Sequence, residues 1–171
     1  MTLGIEIILH NIPKMVLLVV IALPLGILPQ AMIMFFVFAA FRRSASGLHA
    51  NSAMTCTLVT LLQFAAVPYA LQGIYINVEV LLIVFALVGL GMYKYAPADT
   101  AARPLLGGKK RARLKKEAIV TSGLLLALAL VLRNEALYSL FAMGAVYALI
   151  AILPLTYKIL GKSMNNYKSY E

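Results

Sequence analysis

The feature that most restricts this chain is the apolar run from Met15 to Phe41. Roughly 20 mostly apolar residues cross about 30 Å of hydrocarbon, so this run is too long for one untilted helix. Pro24 and Pro29 interrupt it, with Gln30 beside the second. A proline lacks the backbone donor and clashes with the preceding turn, which kinks or breaks a helix. The run is therefore either one tilted, bent span or two partial helices meeting near Pro29.

Four further apolar runs follow, at about Ala53–Leu71, Val78–Tyr93, Ala118–Leu132 and Ala136–Tyr157. Of the 171 residues, 63% are hydrophobic and 12% charged, and the mean hydropathy is +0.92. A soluble domain carries about 25% charged residues, so a surface this poor in charge is not wetted. The expected fold is all-α, a polytopic transmembrane bundle of about five to six segments with the first broken by proline. Residues 1–171 then form one integral membrane domain, too short for a bundle plus a soluble enzyme domain. Met1–Lys14 is too short to span and is expected along the interface. It lacks the basic start and small-residue cleavage site of a removable signal peptide.

The net charge is +9, and the basic residues cluster. Lys94, Arg103, Lys109, Lys110, Arg111, Arg113, Lys115 and Lys116 lie in one stretch, with Asp99 before most of them. In a soluble protein such a run suggests nucleic acid. Between two spans it reads as a basic cytoplasmic loop over residues 94–117, because cytoplasmic loops favour Lys and Arg. Arg42–Arg43 and the Lys158–Lys168 tail fall on the same side if spans two to five each cross once. The Gln72–Glu79 and Arg133–Glu135 turns fall on the other.

Chemistry points to FRRSASGLHANSAMTCT, Phe41–Thr57, which gathers two arginines, a glycine, His49 and the only cysteine at one membrane boundary. With a single cysteine, neither an internal disulfide nor a cysteine-based zinc cluster can form, and no metal or cofactor is expected. A thiolate is the reactive form of cysteine, and a nearby imidazole accepts its proton. If Asn51 or Ser52 caps the second span, Cys56 lies about one turn inside the positive end of the helix. On one uninterrupted helix, residues seven apart are separated by about 10.5 Å along the axis. His49 must therefore fold back on a loop or a bent helix start, and Gly47, Asn51 and Ser52 suit such a bend. The bland alternatives are an inert small hydrophobe for the cysteine and an interfacial polar group for the histidine.

These residues resemble the accessory gene regulator protein B family, membrane endopeptidases that process quorum-sensing propeptides in Gram-positive bacteria. The resemblance rests on Arg42, Gly47, His49 and Cys56 within RRSASGLHANSAMTC, and on YAPADTAARPLLGGKKRARLKK, Tyr95–Lys116, which is similar to the family's central loop. It implies a thiol protease with Cys56 as nucleophile and His49 as general base. Arg42 would orient substrate or hold the loop, and Gly47 would permit a tight turn. Lys109, Lys110, Arg111, Arg113, Lys115 and Lys116 would capture an acidic propeptide tail. The implied partners are a small propeptide with an amphipathic segment and an acidic tail, the lipid bilayer and a second copy in a homodimer, without nucleic acid. The implied location is the bacterial cell membrane, multi-pass, with the active site at the cytoplasmic face. Cleavage through an enzyme thioester and macrocyclisation to a thiolactone or lactone would follow. Asp99, Glu117 and Asn51 lie on the correct side to orient His49, and spacing favours none of them. Rival readings are a transporter subunit, with Pro24, Pro29 and Gln30 marking a broken helix, and a non-catalytic membrane scaffold.

Overall fold

The computed structural model describes residues 2–48, 53–101 and 104–170, with backbone alone for 2–11 and Ala53. The described residues are helical nearly throughout, as the apolar runs require when backbone polar groups must be satisfied within each segment. One isolated parallel bridge, Ser46 to Ala98, stands outside the helices.

The long first run is two helices. Helix α1 (Thr2–Ala22) and helix α2 (Leu28–Ala45) are separated by a turn. Gly26 takes φ +68° there, a conformation that costs an L side chain about 1–2 kcal/mol. Pro29 sits in the first turn of α2, where its missing N–H would have no intrahelical partner anyway. The stretch Met1–Lys14, expected along the interface, runs from Thr2 directly into the apolar part of α1 as one helix, with Pro13 inside it.

α1, the start of α2 and the second apolar run form one compact unit. That second run is α3 (Ala53–Leu61), a π-helical segment (Leu62–Ala66) and α4 (Val67–Ala70) in direct succession. The π segment shows its wider turn in the Val67 N–H bond to the Leu62 carbonyl. α1 packs on α3 and on the π segment, and Phe35 meets Phe64 edge-on at 5.4 Å between ring centroids.

The second unit holds the end of α2 and everything from Ile74 on. Its helices α5 (Val78–Tyr95), α6 (Gly108–Leu132) and α7 (Glu135–Ile150) pack on one another. Asn77 caps α5 through the Val80 N–H, and Asn134 caps α7 through the N–H groups of Ala136 and Leu137. Small residues line the buried faces, among them Ala118, Ser122, Ala129, Ala142, Ala145 and Ala148. Such residues let helices approach closely where no hydrophobic force separates protein from lipid.

Among the described residues, α5 is the helix long and apolar enough to cross a membrane; only 22% of it is buried within the protein. Its outward side chains, including Val80, Leu82, Ile83, Leu87 and Leu90, are apolar and exposed. Ile12–Ala22, Met54–Ala70 and Glu135–Ile150 are shorter apolar helices.

Two expectations change. The stretch expected as a basic loop over 94–117 is partly helical: from Gly108 it forms the first turns of α6, a helix of 25 residues, about 37 Å long at 1.5 Å per residue. Lys, Arg, Ala, Leu and Glu are good helix formers, and nothing between Lys109 and Leu132 breaks the hydrogen-bond ladder. The expected run Ala136–Tyr157 divides, α7 ending at Ile150 and α8 (Pro154–Ile159) beginning at the proline. Pro154 holds Leu153 extended, at ψ 135°, as the residue before proline prefers. A 3₁₀ turn, Asn166–Ser169, ends the described chain.

Candidate active site

Cys56 is the fourth residue of α3, partly exposed and not disulfide-bonded. Being near the start of the helix places its sulfur toward the positive end of the peptide dipoles. The Thr60 hydroxyl donates to the Cys56 carbonyl at 2.8 Å. A cationic partner is also present: the Lys14 ammonium on α1 donates to Cys56 Sγ at 3.1 Å. His49 lies outside the described residues, as does Asn51.

The backbone leading to His49 is tightly held. Arg42, in the last turn of α2, donates from Nη1 to the Ser46 carbonyl and from Nη2 to the Leu48 carbonyl, the latter at 2.9 Å. Its guanidinium also sits over the Phe38 ring, 5.7 Å from the centroid. Between the bridged carbonyls the chain leaves α2 through Ser46 at φ +57° and Gly47 at φ +100°. The Gly47 N–H donates to the Ala98 carbonyl at 2.9 Å, the Ala98 N–H to Ala45 at 3.0 Å, and the Leu48 N–H to Ala151 at 3.0 Å. A Cβ on Gly47 would stand 2.6 Å from the Ala151 oxygen and 2.7 Å from Arg42 Nη1. Arg42 thus ties the end of α2 to the carbonyls of Ser46 and Leu48, and position 47 has room for glycine alone.

Next to that bridge, Asp99 is 4% exposed and tied to the tail. Its carboxylate accepts from the Asn166 N–H at 3.0 Å, the Asn166 side-chain amide at 3.4 Å and the Tyr167 N–H at 2.9 Å. Its carbonyl accepts from the Tyr157 hydroxyl at 2.8 Å. Glu117, another residue considered for orienting the histidine, pairs with Arg113 at 2.8 Å.

The basic residues of α6 divide by environment. Arg111 stacks on Tyr167 at 3.8 Å, Lys115 lies over Tyr93 at 4.5 Å, and Arg113 holds Glu117. Lys109, Lys110 and Lys116 are exposed. Arg113 and Lys116 share a groove of about 410 Å³ with Arg43, Ser44, Glu117 and Thr121. The sequence marks Arg43 only as a topology charge, and its place in this groove comes from packing. Lys14 carries one weak signal in the sequence, as the last charge before the long apolar run. A separate apolar cavity of about 440 Å³, lined by Ile21, Leu25, Leu58, Leu61, Leu62 and Tyr69 among others, opens along α1 and α3 beyond Cys56.

Known sequences match nearly the whole of this arrangement. An AgrB-like protein of Clostridium acetobutylicum is 37% identical over 169 residues, covering 99% of this chain and 81% of its own. One from Listeria monocytogenes serovar 1/2a is 38% identical over 168 residues, covering 98% and 82%. A more distant one from Lactiplantibacillus plantarum is 33% identical over 123 residues, covering 70% and 60%. No solved structure matches the chain. The family model described as Accessory gene regulator B covers residues 1–153, from α1 through the turn that carries Ala151, and with these relatives it makes the chain a member of the accessory gene regulator B family.

Proposed function

We propose that this chain is a multi-pass membrane cysteine endopeptidase that cuts a small quorum-sensing propeptide near its C-terminal end. The observation that carries the reading is the setting of Cys56. The chain's only thiol stands in the opening turns of a helix, within a family match that runs through both Arg42–Gly47 and the cysteine. Family membership supports the propeptide-processing role, and the exposed apolar face of α5 supports membrane insertion. The clustering of basic segments on one side favours a site at the cytoplasmic face.

In this reaction the Cys56 proton passes to His49 and the sulfur attacks the scissile carbonyl. The C–N bond breaks, His49 returns its proton to the leaving amine, and the acyl group remains as an enzyme thioester. An internal cysteine or serine of the substrate then attacks that thioester, releasing Cys56 and closing a thiolactone or lactone. Thiol attack exchanges one thioester for another, so little free energy is lost. Backbone N–H groups that open α3 are suited to stabilise the oxyanion. A site recessed at the bilayer edge slows competing hydrolysis. Exposed Lys109, Lys110 and Lys116, with the Arg43 groove, receive the propeptide's acidic tail.

The test is co-expression of a cognate propeptide with wild type, Cys56→Ser and His49→Ala, following the cleaved product by mass. Wild type is expected to cleave and both variants to lose at least about a thousandfold, as removal of a nucleophile or its base does. Undiminished cleavage by correctly inserted Cys56→Ser protein overturns the assignment.

A further inference from the structure

We infer that Lys14 is a further catalytic residue of this site, whose ammonium is the fixed electrostatic partner of the Cys56 sulfur during attack. The inference rests on the endopeptidase reading of Cys56 and adds to it a group from a different helix. Lys14 Nζ and Cys56 Sγ stand 3.1 Å apart, a hydrogen-bond separation for a sulfur acceptor. The two residues are 42 apart in sequence, so their meeting is a product of the packing of α1 on α3. Both side chains are partly buried, where solvent screens the interaction less than at a free surface.

The placement also has a logic along each helix. Lys14 is where charge ends on α1, with Met15–Ala22 following; Cys56 opens the apolar stretch of α3. At such a boundary an anionic sulfur loses part of its hydration, and a hydrogen-bonded cation from the same unit replaces it. The step balances without moving a proton on Lys14. His49 takes the thiol proton, the lysine keeps its own three, and the negative charge passes from sulfur to the carbonyl oxygen as the S–C bond forms. Helix α1 thereby contributes to the chemistry as well as to the packing.

The test measures Cys56 alkylation by iodoacetamide, a neutral reagent that surface charge does not steer, in the intact protein at neutral pH. Lys14→Met and Lys14→Gln are each expected to slow alkylation about ten- to hundredfold, the usual effect of losing a hydrogen bond to a charged group. Lys14→Arg, which restores a cation on a different frame, is expected to recover most of the rate. Should Lys14→Met fail to fold, Lys14→Gln decides, since it keeps a polar side chain of similar reach. Wild-type alkylation rates in the folded neutral variants overturn the inference, as does an equal loss in Lys14→Arg. Propeptide cleavage separates this from the broader reading. Loss of cleavage in Cys56→Ser alongside full alkylation and cleavage in Lys14→Gln removes Lys14 alone, whereas cleavage by Cys56→Ser removes the nucleophile itself.

Discussion

The Arg42 guanidinium reaches across the end of its own helix to the Leu48 carbonyl at 2.9 Å, fixing the backbone of the residue directly before His49. The same side chain also holds the Ser46 carbonyl. A two-pronged donor suits a loop that doubles back on a helix terminus, where carbonyls lack intrahelical partners.

Replacing that fork with a point charge should uncouple loop and helix. Arg42→Lys keeps the charge, but lysine lacks the planar geometry that spans two carbonyls. Propeptide cleavage is expected to fall about tenfold or more, in line with the loss of one hydrogen bond from a charged group. Product yield normalised to the amount of inserted protein reads the effect. An Arg42→Lys variant as active as wild type removes the loop-holding role.

Gly47 permits a sharper comparison. Gly47→Ala forces a methyl against the Ala151 carbonyl and Arg42, and it imposes a side chain on a backbone at φ +100°. The combined cost is expected at about 3 kcal/mol or more. Gly73→Ala, at φ +80° with open space around the added carbon, should cost only about 1–2 kcal/mol. Thermal loss of monodisperse protein on size-exclusion chromatography ranks the two.

The Asp99 carboxylate predicts how the tail behaves. Asp99→Ala removes the acceptor for both the Asn166 and Tyr167 N–H groups, leaving Arg111 on the Tyr167 ring as a remaining tether. Trypsin should then cut after Lys162 and Lys168 about tenfold faster, reflecting a loss near 1.4 kcal/mol or more from charge-assisted bonds. Peptide mapping over time measures it, and an unchanged rate excludes Asp99 as the tail's anchor.

Charge reversal on α6 tests substrate capture. Lys109→Glu together with Lys110→Glu places repulsion where the acidic propeptide tail is proposed to bind. KM is expected to rise about tenfold at low salt and the difference to shrink as salt increases. A salt-insensitive change in kcat alone contradicts tail capture there.

The helices are legible in the sequence because each is announced by an apolar run and closed by proline, glycine or asparagine. Pro154 opens α8, where a missing N–H has no intrahelical partner to lose, and Pro24 falls in the turn just past the end of α1. The helical course of Lys109–Glu117 is harder to read, because residues that signal topology by their charge are also good helix formers. At the site, Arg42 and Gly47 stand out through the family resemblance carried by RRSASGLHANSAMTC. Their partners do not, since Ala98 and Ala151 act through backbone groups that any residue possesses. Lys14 is hidden for a different reason: its meeting with Cys56 depends on helix packing, which local sequence does not encode.

The wide turn at Leu62–Ala66 has a consequence for every residue on either side of it. A π turn behaves as one residue inserted into an α-helix, and each residue accounts for about 100° of rotation. Deleting one residue there should regularise the ladder without shortening the rod by more than about 1.5 Å. It would leave the cysteine-bearing end and the Tyr69 end in nearly their present phase, because the wide turn already takes up the extra residue. A single-codon deletion there should therefore be tolerated better than one inside α5, where no wide turn takes up the change of phase.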